Sequence, residues 1–121
     1  MIKLNDANMV GSDFENVNLA KTRLHDVNLS ESQLEDVNIS DSSIENARAT
    51  NMSMKNITMN NPRFMNVDMQ GASFRNIDMR DAMLSDVNLT NTELSNCDLS
   101  GMKIDGVLVT DLLKAWQRQS G

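Results

Sequence analysis

The sequence contains few of the residues that form covalent cross-links or metal sites. Its 121 residues include a single cysteine, Cys97, and a single histidine, His25. One cysteine excludes an internal disulfide framework and fits a reducing compartment. One cysteine and one histidine cannot by themselves assemble a zinc site, and neither a Gly-rich phosphate loop nor an EF-hand spacing occurs. The sequence therefore predicts no bound metal and no cofactor.

A long hydrophobic run is also missing. No stretch approaches the roughly 18 apolar residues that a membrane span needs, and the opening segment MIKLNDANMV does not resemble a signal peptide. We therefore expect a single-domain cytoplasmic protein without membrane contact. The net charge of −6 disfavours electrostatic capture of a phosphate backbone. No direct nucleic-acid binding is expected.

What the sequence does contain is an apolar residue at every fifth position. The column runs without interruption from Leu4 to Val109, with Ala49 as its smallest member. In an α-helix, successive members would lie about 500° apart and would form no buried stripe. In one continuous strand, half of them would face water. The period therefore excludes both a long helix and a long strand.

A second column, two residues before the first, is apolar or small, as at Val27, Val37 and Val67. A spacing of two places both columns on one strand face, so each unit is a short extended piece followed by a two-residue corner. The residue before each unit is Asn, Asp or Gly almost everywhere, and these residues tolerate a left-handed backbone. Lys21 and Glu31 are exceptions.

Units such as VNLSE (27–31), ASFRN (72–76) and CDLSG (97–101) resemble the pattern A-(D/N)-(L/F)-x-x of pentapeptide repeat proteins. The resemblance covers about residues 2–109. It implies an all-β solenoid, a right-handed, four-sided parallel β-helix with four units per coil. Units ten residues apart then lie on opposite faces. We expect residues 1–109 to form this solenoid.

The period breaks after Val109, and residues 110–121 are predicted to form a capping α-helix. Leu112, Leu113 and Trp116 share one face of this helix. That face is expected to cover the last coil, because a solenoid end exposes apolar interior and unpaired strand edges. A dimerisation helix, as in gyrase-binding members of the family, is the alternative. No comparable lid precedes Ile2, so the sequence predicts a monomer or a weak homodimer through a solenoid end.

The repeat offers no catalytic constellation. Acid–base or nucleophilic chemistry needs a base oriented near a nucleophile, usually in a concavity. His25 takes an outward position with no partner implied by the repeat, whereas Cys97 takes an inward position among Val and Ile and is expected to be packing. The sequence therefore predicts no catalytic residue and no enzyme.

The outer surface remains as the functional candidate, and residues twenty apart should stack vertically on it. One face carries a candidate basic column, interrupted by Ser43 and Met83. The opposite face carries a candidate acidic interaction surface, with Lys55 and Arg75 stacked beyond its glutamates. The basic column is Lys3, Arg23, Arg63 and Lys103, and the acidic surface is Asp13, Glu15, Glu35, Asp36 and Glu93.

These features predict a non-enzymatic scaffold that acts as a protein–protein interaction module with an unknown protein partner. The family resemblance implies an alternative, a DNA mimic that binds a type II topoisomerase (gyrase) and confers protection from quinolones. The short rod, the absence of loops between repeats and the basic column weigh against the mimic.

Overall fold

The computed structural model describes residues 2–120, without the side chains of Trp116, Gln119 and Ser120. Within that range the chain forms a right-handed β-solenoid of about five turns and one short C-terminal helix, as the sequence predicts. The helix, α1, spans Val109–Ser120. The strands are β1 (Lys3–Asn5), β2 (Asp13–Glu15), β3 (Arg23–His25), β4 (Gln33–Asn38), β5 (Ser43–Arg48), β6 (Ser53–Thr58), β7 (Arg63–Asp68), β8 (Ser73–Asp78), β9 (Met83–Asn88), β10 (Glu93–Ser95), β11 (Lys103–Ile104) and β12 (Val107–Leu108).

Two parallel sheets run along opposite sides of the rod. Odd-numbered strands stack in the order β1-β3-β5-β7-β9-β11, and even-numbered strands stack as β2-β4-β6-β8-β10. The pairing register is twenty residues throughout: Leu4 pairs with Leu24 and Phe14 with Leu34. Four pentapeptides therefore complete one coil, and each side chain stacks on its equivalent one coil away.

A residue with positive φ, which forms a left-handed corner, occurs at every fifth position from Asp6 to Gly106. Asn and Asp supply most of these positions, since their short side chains tolerate positive φ better than other non-glycine residues do. Lys21 and Glu31 adopt the same conformation, each with φ of 62°. The predicted corner is therefore set by its place in the coil rather than by the residue that occupies it.

An Asx turn recurs at several positions ten residues or a multiple of ten apart, and it was not predicted from the sequence. The Asn28 side-chain oxygen accepts a hydrogen bond from the Ser30 N–H at 3.0 Å, and Asn38 does the same for Ser40. Asp98 accepts from the Ser100 N–H at 3.1 Å. Asn or Asp side chains of this kind hold their own turn. The Asn or Asp at these positions therefore supplies a hydrogen bond that holds the turn, in addition to the packing of the neighbouring inward side chains.

The core is densest in the central coils. Phe64, Met69, Phe74 and Met79 complete one coil, and each is only 1% exposed. The coil before it contains the small Ala49, beside which Met52, Met54 and Met59 are fully buried; these flexible side chains were predicted to fill the space beside the alanine.

The regular repeat ends earlier than residue 109. Strand β12 turns back and pairs antiparallel with β11, matching Lys103 with Leu108 and Ile104 with Val107. Asp105 and Gly106 form the two-residue loop, with φ of 48° and 82°. An Asp-Gly pair with positive φ at both positions is a strong hairpin signal, which the five-residue column obscured because Ile104 and Val109 continue it. Helix α1 therefore begins at Val109, one residue earlier than predicted.

Candidate interaction surfaces

The pairing register places the predicted basic column on one face of the rod. Through successive strands Lys3 stacks on Arg23, Arg23 on Ser43, and Ser43 on Arg63. Met83 and Lys103 complete the column. The four cations are exposed, and within residues 2–120 none of them forms an ion pair shorter than 4 Å. Their charge is therefore directed to solvent.

Two methionines interrupt this charged face. Met83 stacks directly on Arg63, and Met65 lies two residues along the same strand as Arg63. Their exposed fractions are 51% for Met83 and 47% for Met65. Met83 stacks between Arg63 and Lys103, whereas Met65 belongs to the neighbouring column, between Glu45 and Ser85. The two methionines therefore lie diagonally on adjacent rungs, which are about 4.8 Å apart, and both adjoin Arg63. In the sequence, Met83 is only a gap in the basic column, and its proximity to Met65 is seen only in the strand pairing.

The candidate acidic surface is distributed over the opposite side of the rod. Glu15 stacks on Glu35, but Glu35 stacks on Lys55, and Lys55 stacks on Arg75. Asp13 begins the neighbouring column, and Glu93 occupies the same column four coils away with uncharged residues between them. Asp36 lies at a corner with φ of 55°. The acidic side chains are therefore clustered in the first two coils, and Glu93 is a separate charge in the fifth.

His25 has hydrogen-bonding partners that the repeat did not predict. Its Nδ1 lies 3.1 Å from the Asn5 side-chain oxygen and 3.1 Å from an Asp26 carboxylate oxygen, and its Nε2 lies 3.3 Å from the Asn46 amide nitrogen. The ring is 46% exposed. The imidazole therefore stacks on the strand residue Asn5 and contacts the corner residues Asp26 and Asn46.

A second polar cluster was missed by sequence analysis. Arg80 Nε and Nη2 each lie 3.0 Å from a different carboxylate oxygen of Asp78, and Asp98 lies one coil further along. The hydrogen bond to Asp78 raises the pKa of Arg80. The pKa of Asp98 is lowered, mainly by the hydrogen bond from the Ser100 hydroxyl. The signal was local, since Arg80 occupies the corner position that serine or threonine takes after Asn38 and Asn88.

Metal-binding and membrane-spanning features are not found in the described chain. Residues 2–120 contain no group of three or more His, Cys, Asp and Glu side chains arranged to hold a metal ion. Over the same residues, no helix is both long and apolar enough to cross a membrane. Cys97 is half-buried, with its Sγ 3.7 Å from the Phe74 carbonyl oxygen.

Helix α1 leaves much of its apolar face open. Leu112 is 51% exposed and Leu113 is 48% exposed. Trp116, the third residue of the predicted capping face, has a side chain outside the described atoms. The capping and dimerisation roles of this face both remain predictions.

The opposite end of the rod opens into the core. A cavity of about 140 Å³ begins at Ile2 and reaches Met54 in the third coil, with walls formed by side chains such as Leu4, Phe14 and Leu24. Ile2 is exposed, and the central apolar residues of the first coil are only partly buried. The N-terminal coil is therefore bare within the described chain.

Together, the twenty-residue register and the left-handed corners define a four-sided parallel β-solenoid. The chain belongs to the pentapeptide repeat family: the family model, described as pentapeptide repeats, matches in eight copies over residues 2–36 and 63–101. This family is generally a non-enzymatic scaffold, and no catalytic family is indicated. No curated protein matches the chain significantly.

Three solved structures among those that match the chain are Rfr23, described as a pentapeptide repeat protein, QnrB1 and HetL. Rfr23 from the cyanobacterium Cyanothece 51142 is 22% identical, with 85% of this chain and 87% of that chain covered and a TM-score of 0.39. A trypsin-treated form of QnrB1, a plasmid-mediated fluoroquinolone resistance protein, is 11% identical, with coverage of 96% and 97% and a TM-score of 0.33. HetL from Nostoc sp. strain PCC 7120, involved in heterocyst differentiation regulation, is 18% identical, with coverage of 88% and 63% and a TM-score of 0.30.

Proposed function

We propose that this protein is a non-enzymatic scaffold that binds a protein partner through the face bearing Lys3, Arg23, Arg63 and Lys103. The observation that carries the proposal is a pair of exposed methionines that both adjoin Arg63: Met83 stacks between Arg63 and Lys103, and Met65 lies two residues along the strand from Arg63. Single exposed apolar residues are ordinary on protein surfaces. Two of them on adjacent rungs of a rigid sheet form a patch, and a flexible thioether adapts to a partner's shape.

The chemistry of this face defines the class of partner. Arginine and methionine are enriched in protein interfaces, and an apolar centre with a charged rim is their usual arrangement. A complementary segment would place an apolar side chain against Met65 and Met83 and carboxylates against Arg23 and Arg63. We therefore expect an acidic protein segment with at least one apolar anchor.

The test is affinity capture from the native host's lysate with three forms of the purified protein. The first bait is the unmodified chain, and the second is Arg23→Glu/Arg63→Glu. The third, Lys55→Glu/Arg75→Glu, is a matched control because it makes the same charge change at outward strand positions on the opposite face. Circular dichroism verifies that all three fold.

We expect the control bait to retain the partner and the Arg23→Glu/Arg63→Glu bait to lose it. A Met65→Ser/Met83→Ser bait should weaken capture of the same protein without changing net charge. If the second and third baits both lose the partner, capture is due to non-specific electrostatic attraction. If both retain it, the partner binds a different surface of the rod.

The DNA-mimic alternative requires a continuous negative track that imitates phosphate spacing. Lys55 and Arg75 stack directly beyond Glu35 and interrupt such a track. We therefore expect neither inhibition nor relief of quinolone-induced cleavage in a gyrase supercoiling assay at micromolar protein. Inhibition that disappears when Glu15, Glu35 and Asp36 are neutralised would instead favour the mimic.

A further inference from the structure

We propose that two copies of this chain stack head to head through their N-terminal coils, with the face bearing Lys3 on one copy set against the face bearing Glu15 on the other. The first observation is the bare end itself. The first coil lines one end of the open apolar cavity, and Ile2, one of the lining residues, is 43% exposed. Covering this end would remove apolar surface from water, which favours association.

The backbone of the first coil supplies the second observation. In the second coil, the Asn28 N–H donates to the Ala7 carbonyl at 3.0 Å, and the Asn28 carbonyl accepts from the Met9 N–H at 2.7 Å. Asn8 and Asn18 hold the equivalent positions in the first coil, and neither has a backbone partner for its N–H or C=O within residues 2–120. Such an edge is a template for another strand.

The shape of the N-terminal end indicates that a second copy of the chain covers it. A four-sided ring of donors and acceptors with an apolar centre is matched in shape by another coil of the same rod. Two rods that meet at the same end must be related by a two-fold axis perpendicular to their length, the usual symmetry of a homodimer. This operation reverses the sense in which the chain circulates, so strands meet antiparallel across the junction, and such strands can exchange hydrogen bonds.

Charge then selects one of the possible rotations. If the axis passes through the two faces centred on Met9 and Leu19, the Lys3–Asn5 strand lies against Asp13–Glu15 of the second copy. Lys3 then stands opposite Glu15, and symmetry makes this pair twice. If the axis passes instead through the other two faces, Asp13 stands opposite Glu15, which is repulsive. The two diagonal axes pair Lys3 with the uncharged Val10 or Ala20.

The second coils continue the same complementarity. Arg23 lies one rung behind Lys3, and Glu35 lies one rung behind Glu15. The junction is nevertheless small, because opposite sheets of such a rod lie only about 10 Å apart, whereas a standard interface buries roughly 800 Å² per partner. The dimer should therefore be weak and concentration-dependent.

Sedimentation equilibrium over a wide concentration range, with small-angle scattering, tests the inference on the full chain. We expect a monomer–dimer equilibrium and a dimer that is longer, not wider, than the monomer. Lys3→Glu and Glu15→Lys should each weaken dimerisation by about tenfold, because each replaces two attractions by two repulsions. The double variant Lys3→Glu/Glu15→Lys should restore it.

Two controls separate this junction from the other end of the rod. Lys103→Glu makes the same charge change as Lys3→Glu in the last coil and should leave the dimer unchanged. Leu112→Lys disrupts the open face of helix α1 and should also leave it unchanged. Dimerisation abolished by Leu112→Lys and insensitive to Lys3→Glu would overturn the inference in favour of a helix-mediated dimer.

Other outcomes are equally decisive. A chain that stays monomeric at millimolar concentration would refute the stacking, and benzene binding in the open cavity of that monomer would assign the cavity to small apolar ligands, as a cavity of about 150 Å³ allows. Failure of the double charge swap to restore the dimer would refute the proposed rotation. None of these results depends on the protein partner proposed above.

Discussion

The first and fourth coils carry the same sequence pattern but differ in burial. Phe14 and Phe74 occupy the same column, three rungs apart, linked through Leu34 and Met54. Phe74 is 1% exposed, whereas Phe14 is only partly buried. Strands on the same face also lengthen, from three residues in β2 to six in β8. The difference lies in the neighbours, since Phe74 has a coil on each side and Phe14 has one.

The comparison indicates that a pentapeptide unit does not bury its own core. In a solenoid, stability is approximately a sum of unit terms and nearest-neighbour interface terms. An end coil lacks one of its two interfaces, so identical residues contribute less there. Within residues 2–120, the first coil is therefore a part of the rod whose burial would increase most against a second surface.

The largest effect should follow from a charge in the central core. Phe74→Asp is expected to abolish soluble expression, because a buried unpaired charge costs several kcal/mol. The adjacent Ser73→Asp, at an outward position, should be tolerated. Soluble yield and far-UV circular dichroism measure both, and equal tolerance would mean that the inward and outward faces have been exchanged.

Truncation of the two phenylalanines compares the regions directly. Phe74→Ala should destabilise the rod by about 3–5 kcal/mol, whereas Phe14→Ala should cost about half as much or less, because part of its ring already contacts water. Urea unfolding at low protein concentration measures the difference. If the N-terminal coils stack at high protein concentration, the losses in unfolding free energy of the two variants should become more similar at that concentration. Equal losses at low concentration would contradict the end-coil argument.

The corners offer a smaller effect confined to the N-terminal region. Lys21 and Glu31 are exposed and hold a left-handed conformation, which costs a non-glycine residue about 1 kcal/mol unless its side chain suits it. Lys21→Asn and Glu31→Asn should therefore each stabilise the protein by about 0.5–1 kcal/mol. The reciprocal control, Asn61→Lys in a central coil, should destabilise it by a similar amount. Thermal unfolding should show a higher Tm for Lys21→Asn and Glu31→Asn and a lower Tm for Asn61→Lys. A lower Tm for Lys21→Asn would refute the argument.

Most of the fold could be predicted from the sequence because a coil repeats one physical solution many times. Even residues 37–62, outside the two matched segments, keep the twenty-residue register through β5 and β6. Features that occur once were harder to predict. The Asp105–Gly106 hairpin was obscured because Ile104 and Val109 continue the apolar column. The Arg80–Asp78 contact depends on an arginine at a position whose residue varies from one coil to the next.

The charged columns of the candidate surface could be predicted from the sequence, but its exposed apolar parts could not. Columns such as Lys3, Arg23 and Arg63 follow from counting in twenties. The apolar patch of Met65 and Met83 and the open N-terminal cavity depend on exposure, which counting does not supply. The repeat determines whether a side chain points into the core or outward. Whether that side chain is then covered depends on its distance from an end of the rod and on any bound partner.

The smallest predicted effect concerns Asp98 in the fifth coil, the end of the rod that carries helix α1. Its pKa is lowered by hydrogen bonds from the Ser100 hydroxyl and then the Ser100 N–H, with a smaller contribution from Arg80. A carboxylate with a lowered folded-state pKa stabilises the fold above its unfolded value of about 3.9, and this stabilisation is lost as pH falls through the folded value. Asp98→Asn should therefore be slightly less stable than the unmodified protein at neutral pH, and the difference should shrink below about pH 4. Ser100→Ala, which removes the largest cause, should reproduce part of the change, and a difference that grows on acidification would show that the sign is wrong.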